Sequence, residues 1–526
     1  MPEQPPTRQS IARSSAVISS GTMTSRVLGL GRDMVIAHLY PRFVSDAFFV
    51  AFRLPNMLRE MLAEGAMNAG FIPVFSDYMM TRSRKETEEL VAAALGAAAA
   101  VLMCVSALGV ILAPWLVRFI TLEFGPADGN LLLAIDLARF LFPYILLVGI
   151  ASLLMAILNA VHRFFSSAYA PMLLNLSMIV CAYLFRNAFR EPVFALAVGV
   201  LAGGVLQILL QIPFLRGIGV RMRVAWNLRH EGIRRIFKLL VPTFFGQAVR
   251  EINVIVDTML AWYLGVGMVS ALYYSFRLVH LPLAVFGLAV ATATLPAMSR
   301  CAAARDFDGL KQRLTQGLSA IFFMMFPATV GLMVLREPIV RLLFEHGAFD
   351  AATTRDTAFA LLFYSVGLFA FAGSRIMAFA FYSLQETRTP VISATIAMVA
   401  NIGLNLLLMI PLRQGGLALA SSLSSTLNMV TLWIVLNKRI GDPGGRAVMG
   451  AAVRMLVLSA AMGVLVYALL KLCGLVVDTE TLSGQIMHVA VPMLGGAAFY
   501  LIAAFILRFE EASQLRVIWT RRSRGQ

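Results

Sequence analysis

The chain has 526 residues, 59% apolar and only 14% charged, against roughly 25% charged in an ordinary soluble chain. So much apolar side chain with so little charge excludes a soluble enzyme, a secreted disulfide scaffold and a disordered tail protein, and requires a bilayer as solvent. The 44 Lys and Arg outnumber the 28 Asp and Glu, for a net charge of +16. In a soluble protein that excess would point to nucleic acid; in a membrane protein it is the usual excess of cytoplasmic loops, so no nucleic-acid partner is expected.

Residues 1–13 are polar, include Pro5-Pro6, and read as a cytoplasmic N-terminal tail. The apolar segment after them carries Arg26 and Arg32 and lacks a small-residue cleavage site, so it is expected to stay as the first helix. Fourteen apolar segments run in order near 14–40, 45–63, 89–120, 131–158, 167–185, 193–215, 239–264, 268–297, 316–344, 357–383, 390–412, 415–436, 447–470 and 486–507. Backbone groups in hydrocarbon must bond internally, so each segment predicts a helix. The expected fold class is an all-α polytopic membrane protein with 14 transmembrane helices. With the N-terminus inside, the inward segments hold 26 Lys and Arg and the outward loops 6, which puts both termini in the cytoplasm. The four cysteines, Cys104, Cys181, Cys301 and Cys473, are scattered and read as free thiols.

A repeat is visible at an offset of 219 to 224 residues. Phe52-Arg53-Leu54 recurs as Phe276-Arg277-Leu278, Asp33 falls on Asp257, Ile72-Pro73 and Ser76 answer Leu295-Pro296 and Ser299, and Pro171 answers Pro390. Two copies of one six-helix unit in the same membrane orientation follow, and parallel repeats place the substrate path between halves. The expected organisation is a tail (1–13), a first lobe (14–215), a basic cytoplasmic linker (216–238), a second lobe (239–436), a terminal helix pair (447–507) and a basic cytoplasmic tail (508–526).

Ionisable groups inside spanning helices are costly and mark function by default. The first helix carries Arg26, Arg32 and Asp33 beside Gly29 and Gly31; the second and its continuation carry Asp46, Arg53, Arg59, Glu60 and Glu64. One reading is an internal salt-bridge network, such as Arg32–Asp46 or Arg59–Glu64, that only locks helices together. The other is an anion grip: a guanidinium donates in pairs and stays charged at any depth, which suits phosphate. Arg32, Arg59 and Arg277 could then meet around one diphosphate in a cationic central cavity, with His280 one turn beyond Arg277 as a second donor or a satisfied polar residue. A second constellation, Asp257, Asn401, Asn405 and Ser421, offers oxygens for a small monovalent cation; the competing reading is hydrogen bonding between helices. No Walker loop, HExxH, paired Cys ligands or Gly-x-Ser-x-Gly elbow occurs, so a transporter without its own ATP hydrolysis or a cofactor is expected, not an enzyme.

The stretches SRVLGLGRD (25–33), SDAFFVAFRLPNMLREMLAEGAMNAGFIPVFSDY (45–78), FPYILLVGIASLLMAILNAVHRFFSSAYAPMLLN (142–175), INVIVDT (252–258) and YYSFRL (273–278) resemble the MurJ (MviN) family of lipid II flippases, in the MOP exporter superfamily. The resemblance implies two pseudo-symmetric six-helix lobes plus a C-terminal pair that lines a groove for the lipid tail. It implies alternating-access flipping of the undecaprenyl-diphosphate-linked peptidoglycan precursor, lipid II, from the inner to the outer leaflet of a bacterial cytoplasmic membrane. The family's cavity arginines fall on Arg26, Arg32, Arg59 and Arg277, with Asp33 and Asp46 beside them, and Glu64 matches the family's AEG run. Some relatives carry an acidic residue at His280 and a small or acidic one at Phe276, which leaves the partner of Arg277 open. The implied partners are lipid II, the phospholipid bilayer and the cell-wall synthesis machinery, with coupling to Na+, H+ or membrane potential. The alternatives are a flippase for another polyprenyl-linked glycan, a cation-coupled multidrug exporter, and a non-transporting membrane scaffold for cell-wall enzymes.

Overall fold

The computed structural model describes residues 8–61, 67–123, 129–218, 223–227 and 229–512, and among these every regular element is helical. The chain forms two compact units, Met1–Met259 and Leu260–Gln526.

The first unit contains α1 (Arg8–Leu39), α2 (Arg42–Arg59), α3 (Met67–Thr81), α4 (Arg84–Thr121), α5 (Gly129–Leu141), α6 (Tyr144–Ala160), α7 (Phe164–Leu184), α8 (Phe194–Gly217) and most of α9 (Glu231–Tyr263). Local chemistry sets several of these ends. The Ser83 hydroxyl accepts from the Glu86 backbone N–H while the Glu86 carboxylate accepts from that of Ser83, closing a capping box at the start of α4. Pro143 has no N–H to continue the ladder, and α5 gives way to α6 there.

The second unit holds α10 (Met268–Pro282), a π-turn at Leu283–Gly287, α11 (Leu288–Ala303), α12 (Phe307–Phe344), α13 (Ala351–Val366), α14 (Leu368–Ser383), α15 (Arg388–Leu412), α16 (Gln414–Ile440), α17 (Gly445–Val476) and α18 (Leu482–Ile506). Between α13 and α14 the axis bends by 42° at Gly367.

The packing shows the repeat directly. In the first unit α2 packs on α5, α3 on α6, α4 on α5 and α6, α6 on α8, and α7 on α8. In the second, α10 packs on α13, α11 on α14, α12 on α13 and α14, α14 on α16, and α15 on α16. Each pair is the first-unit pair moved on by eight helices. The local breaks repeat too: a π-type turn follows α2 at Glu60-Met61 and α10 at Leu283–Gly287, and such turns inside helices often sit at functional places. Outside the repeat, α17 and α18 pack on each other and on α12, and keep large apolar side chains such as Val457, Val464 and Leu494 exposed.

Over its described residues, each of the fourteen predicted segments lies on a helix or on helices in sequence, as 131–158 lies on α5 and α6. Among the described residues, 10 helices are long and apolar enough to cross a bilayer, or 11 with the bent α13–α14 pair. The other three predicted segments fall on α1, α2 and α9, which carry most of the candidate ionisable groups; the 18 residues of α2 alone contain Arg42, Asp46, Arg53 and Arg59. The stretch expected as a linker is partly built into the first unit. Helix α9 begins at Glu231, Ile233 and Ile236 pack into the core around Tyr78 and Leu90, and the Arg235 guanidinium donates to Asp77 at 2.8 Å.

Close approach of α7 and α8 depends on glycine. A Cβ on Gly199 would lie 2.7 Å from the Met178 Cα, and the Gly199 carbonyl accepts from the Ser177 hydroxyl at 2.7 Å. Backbone cannot yield as a side-chain tip can, so Gly199→Leu should cost about 1–3 kcal/mol. Thermal unfolding in detergent checks this, with a lowered Tm expected and an unchanged Tm contradicting it.

Candidate functional site

In the first unit the charged groups gather on α1 and α2. Arg32 and Asp33 are both buried, at 8% and 0% exposure. The Arg32 Nε and Nη2 donate to Asp33 Oδ1 at 3.0 and 2.5 Å, and Nη1 donates to Asn175 Oδ1 at 3.1 Å. The Asn175 amide nitrogen donates in turn to the Ser25 carbonyl at 3.0 Å. The chain Asp33–Arg32–Asn175–Ser25 thus ties α1 to α7, whose packing is among the most extensive in the unit. A buried guanidinium with its carboxylate and amide partners in place is the internal salt-bridge arrangement expected of one reading, formed with Asp33.

Arg59 differs. Its Nε donates to Asn56 Oδ1 at 3.0 Å, while the contact of Nη2 with Glu60 Oε1 is long at 3.5 Å and half-exposed on both sides. Glu60 Oε1 also accepts from Asn56 Nδ2 at 2.9 Å. A long, partly solvated ion pair such as this contributes little, about 0–1 kcal/mol. The Tyr144 hydroxyl, fully buried and without a hydrogen-bond partner among the described residues, lies within electrostatic reach of both Arg59 and Arg32.

The remaining candidates of this unit lie on α1, α2 and α9. Arg26 is half-buried on α1 and Asp46 is buried on α2. Arg53 donates through Nη2 to the Val254 carbonyl at 3.4 Å, joining α2 to α9. Asp257 is half-buried on α9. Glu64 lies outside the described residues.

In the second unit Arg277 is half-buried on α10 and His280 exposed one turn on. The imidazole lies edge-on to Phe276, with ring centroids 4.4 Å apart, and Phe276 also meets Tyr364 at 5.3 Å. Asn401 and Asn405 are buried on α15. Asn405 Nδ2 donates to Asn401 Oδ1 at 2.8 Å, and Asn401 Nδ2 reaches Ser424 Oγ at 3.3 Å and Ser421 Oγ at 3.4 Å on α16. These amides and hydroxyls serve one another across the α15–α16 interface, as polar groups do between helices in lipid. Among the described residues no group of three or more His, Cys, Asp or Glu is placed to hold a metal ion.

Two residues of interest are absent from the sequence-derived set. Asn175 fixes Arg32, and its only sequence signal is its place at the end of the 142–175 stretch. Arg375 is exposed midway along α14, within an otherwise apolar segment, and the cost of a cation there was its signal.

The family model described as lipid II flippase MurJ matches residues 37–482. A Vibrio cholerae protein named as a probable lipid II flippase MurJ is 38% identical over 433 residues, covering 80% of this chain and 82% of that protein. Among solved structures, a lipid II flippase MurJ in an inward closed conformation is similar with a TM-score of 0.78 at 24% identity, covering 94% of this chain and all of that one. An inward-facing multidrug-resistance MATE transporter of the MOP superfamily follows at a TM-score of 0.68 and 17% identity, covering 81% of this chain and 98% of that one. The fold is thus that of MOP-type transporters, and, matched across most of its length by both the family model and its relatives, the chain belongs to the MurJ family of lipid II flippases.

Proposed function

We propose that this protein flips lipid II from the inner to the outer leaflet of a bacterial cytoplasmic membrane by alternating access, and catalyses no covalent reaction. Family membership over residues 37–482 carries the reading, and the arginine chemistry fits the cargo. A diphosphate leaving water for a low-dielectric interior faces a barrier of several kcal/mol or more, and guanidinium groups offset it with paired, charge-assisted hydrogen bonds. Arg59, half-buried, hydrogen-bonded to Asn56 and in long contact with Glu60, is the first-unit group proposed to meet the diphosphate. Arg32, already matched to Asp33, sets the field around it. Arg26 and Arg277 complete the anion-binding set, with Asp33, Asp46, Arg53, Glu64 and His280 in support. The headgroup passes while the polyprenyl tail stays in lipid, and the exposed apolar faces of α17 and α18 suit the tail.

The proposed topology places both termini and the basic 216–238 stretch in the cytoplasm, a reading supported by the 26 to 6 arginine and lysine bias. Membrane potential, at about 2.3 kcal/mol per charge per 100 mV, or a Na+ or H+ at Asp257 resets the transporter. Asp257→Asn should remove any dependence of translocation on the coupling ion; a dependence that survives the substitution excludes Asp257 from coupling. Clustered arginines in apolar helices disfavour a cation-coupled drug exporter, which has no use for them. Complementation tests the reading as a whole. Expression in a bacterium depleted of its own lipid II flippase should restore growth, and failure of a protein that reaches the membrane would favour another polyprenyl-linked glycan as cargo or a scaffold role.

A further inference from the structure

A shallow apolar trench with a cavity volume of about 90 Å³ runs along the first unit, lined by Ala94, Ala98, Val101 and Leu102 of α4 and by Ile233 and Phe237 of α9. Ile233 and Phe237 also line a neighbouring hollow with Arg229 and Arg234, so the trench ends at two guanidinium groups. Among the described residues neither arginine bonds a carboxylate, whereas adjacent Arg235 is matched to Asp77. Val101 and Phe237 are 42% and 40% exposed, which opens the trench sideways toward lipid. Just before α9, the Ala225 backbone N–H donates to the Ala92 carbonyl of α4 at 3.0 Å, and Trp226 beside it is 71% exposed, where an aromatic ring marks the headgroup level.

We propose that this trench binds one anionic glycerophospholipid, an acyl chain along α4 and its phosphate on Arg229 and Arg234. The dimensions fit. From Ala94 to Leu102 the helix rises about 12 Å at 1.5 Å per residue, close to the ~15 Å of hydrocarbon in one leaflet, half of the ~30 Å core. An empty apolar trench forfeits dispersion contacts on its open side, and the bilayer supplies acyl chains to restore them. Two unmatched guanidinium groups at the headgroup level select a phosphate that carries net negative charge. A polyprenyl chain is far longer than one leaflet is thick and overruns the trench.

Native mass spectrometry of the full-length protein in detergent, with phosphatidylglycerol and phosphatidylcholine added at equal concentration, tests this. Phosphatidylglycerol should be retained preferentially. The R229Q/R234Q double variant should lower that retention about thirtyfold. Val101→Trp and, separately, Ala98→Leu keep both arginines but fill the trench, and each should lower retention at an unchanged Tm. The R300Q/R305Q control removes the same charge elsewhere and should retain the lipid as the unmodified protein does. Unchanged retention in R229Q/R234Q or in both trench-filling variants, an equal loss in the control, or preference for undecaprenyl phosphate over phosphatidylglycerol would overturn the proposal.

Discussion

Alanine in place of Arg59 or of Arg277 should stop most lipid II translocation while leaving the fold intact. Both side chains are half-buried, and the Arg59 contact with Glu60, at 3.5 Å and partly solvated, contributes little to stability. Truncation removes charge-assisted hydrogen bonds to a diphosphate. Each such bond is worth about 1.5–3 kcal/mol, so each variant should translocate roughly ten- to a hundredfold more slowly. Lysine at either position should rescue only in part, because an ammonium lacks the planar fork. The measurement is the initial rate of lipid II translocation per protein in proteoliposomes, with Tm recorded alongside. Wild-type rates in both alanine variants would contradict the assignment.

Arg32→Ala should behave differently, with loss of stability as well as transport. Its Nε and Nη2 hold a carboxylate of 0% exposure, and its Nη1 holds Asn175 of α7. Removing one partner of a buried pair costs about 3–5 kcal/mol, because the remaining charge keeps its desolvation penalty. The double substitution Arg32→Ala with Asp33→Asn removes that charge and should recover much of the lost Tm, yet transport should stay impaired because the local positive field is gone. Recovery of both by the double variant would make the pair purely structural. An unchanged Tm in Arg32→Ala alone would show that the buried pair contributes nothing measurable.

Much of this was legible in the sequence because a bilayer is a strict solvent. Hydrophobic segments of spanning length locate helices without tertiary information, and the Phe52-Arg53-Leu54 and Phe276-Arg277-Leu278 correspondence located the repeat that the packing of α2 on α5 and of α10 on α13 displays. The charged helices were harder to delimit, since the same groups that mark function on α1 and α2 lower the apolarity by which a span is recognised. Helix breaks at Pro143 and Gly367, and the start of α9 inside the expected linker, depend on local backbone chemistry and on packing that hydropathy does not carry. Partner choice was the least legible. The sequence offers Arg32–Asp46 and Arg59–Glu64 as examples of pairing; the structure shows Arg32 bonded to Asp33 and Asn175, and Arg59 to Asn56 and Glu60, with Glu64 outside the described residues. Side chains adjacent in sequence meet here through rotamers that spacing rules do not fix.

Translocation of fluorescently labelled lipid II by the purified protein in sealed proteoliposomes tests the account most directly. Label added to one leaflet should become accessible on the other faster than in protein-free vesicles, and an imposed membrane potential should change that rate. Equal rates with and without protein, at either potential, would contradict lipid II flipping by this chain.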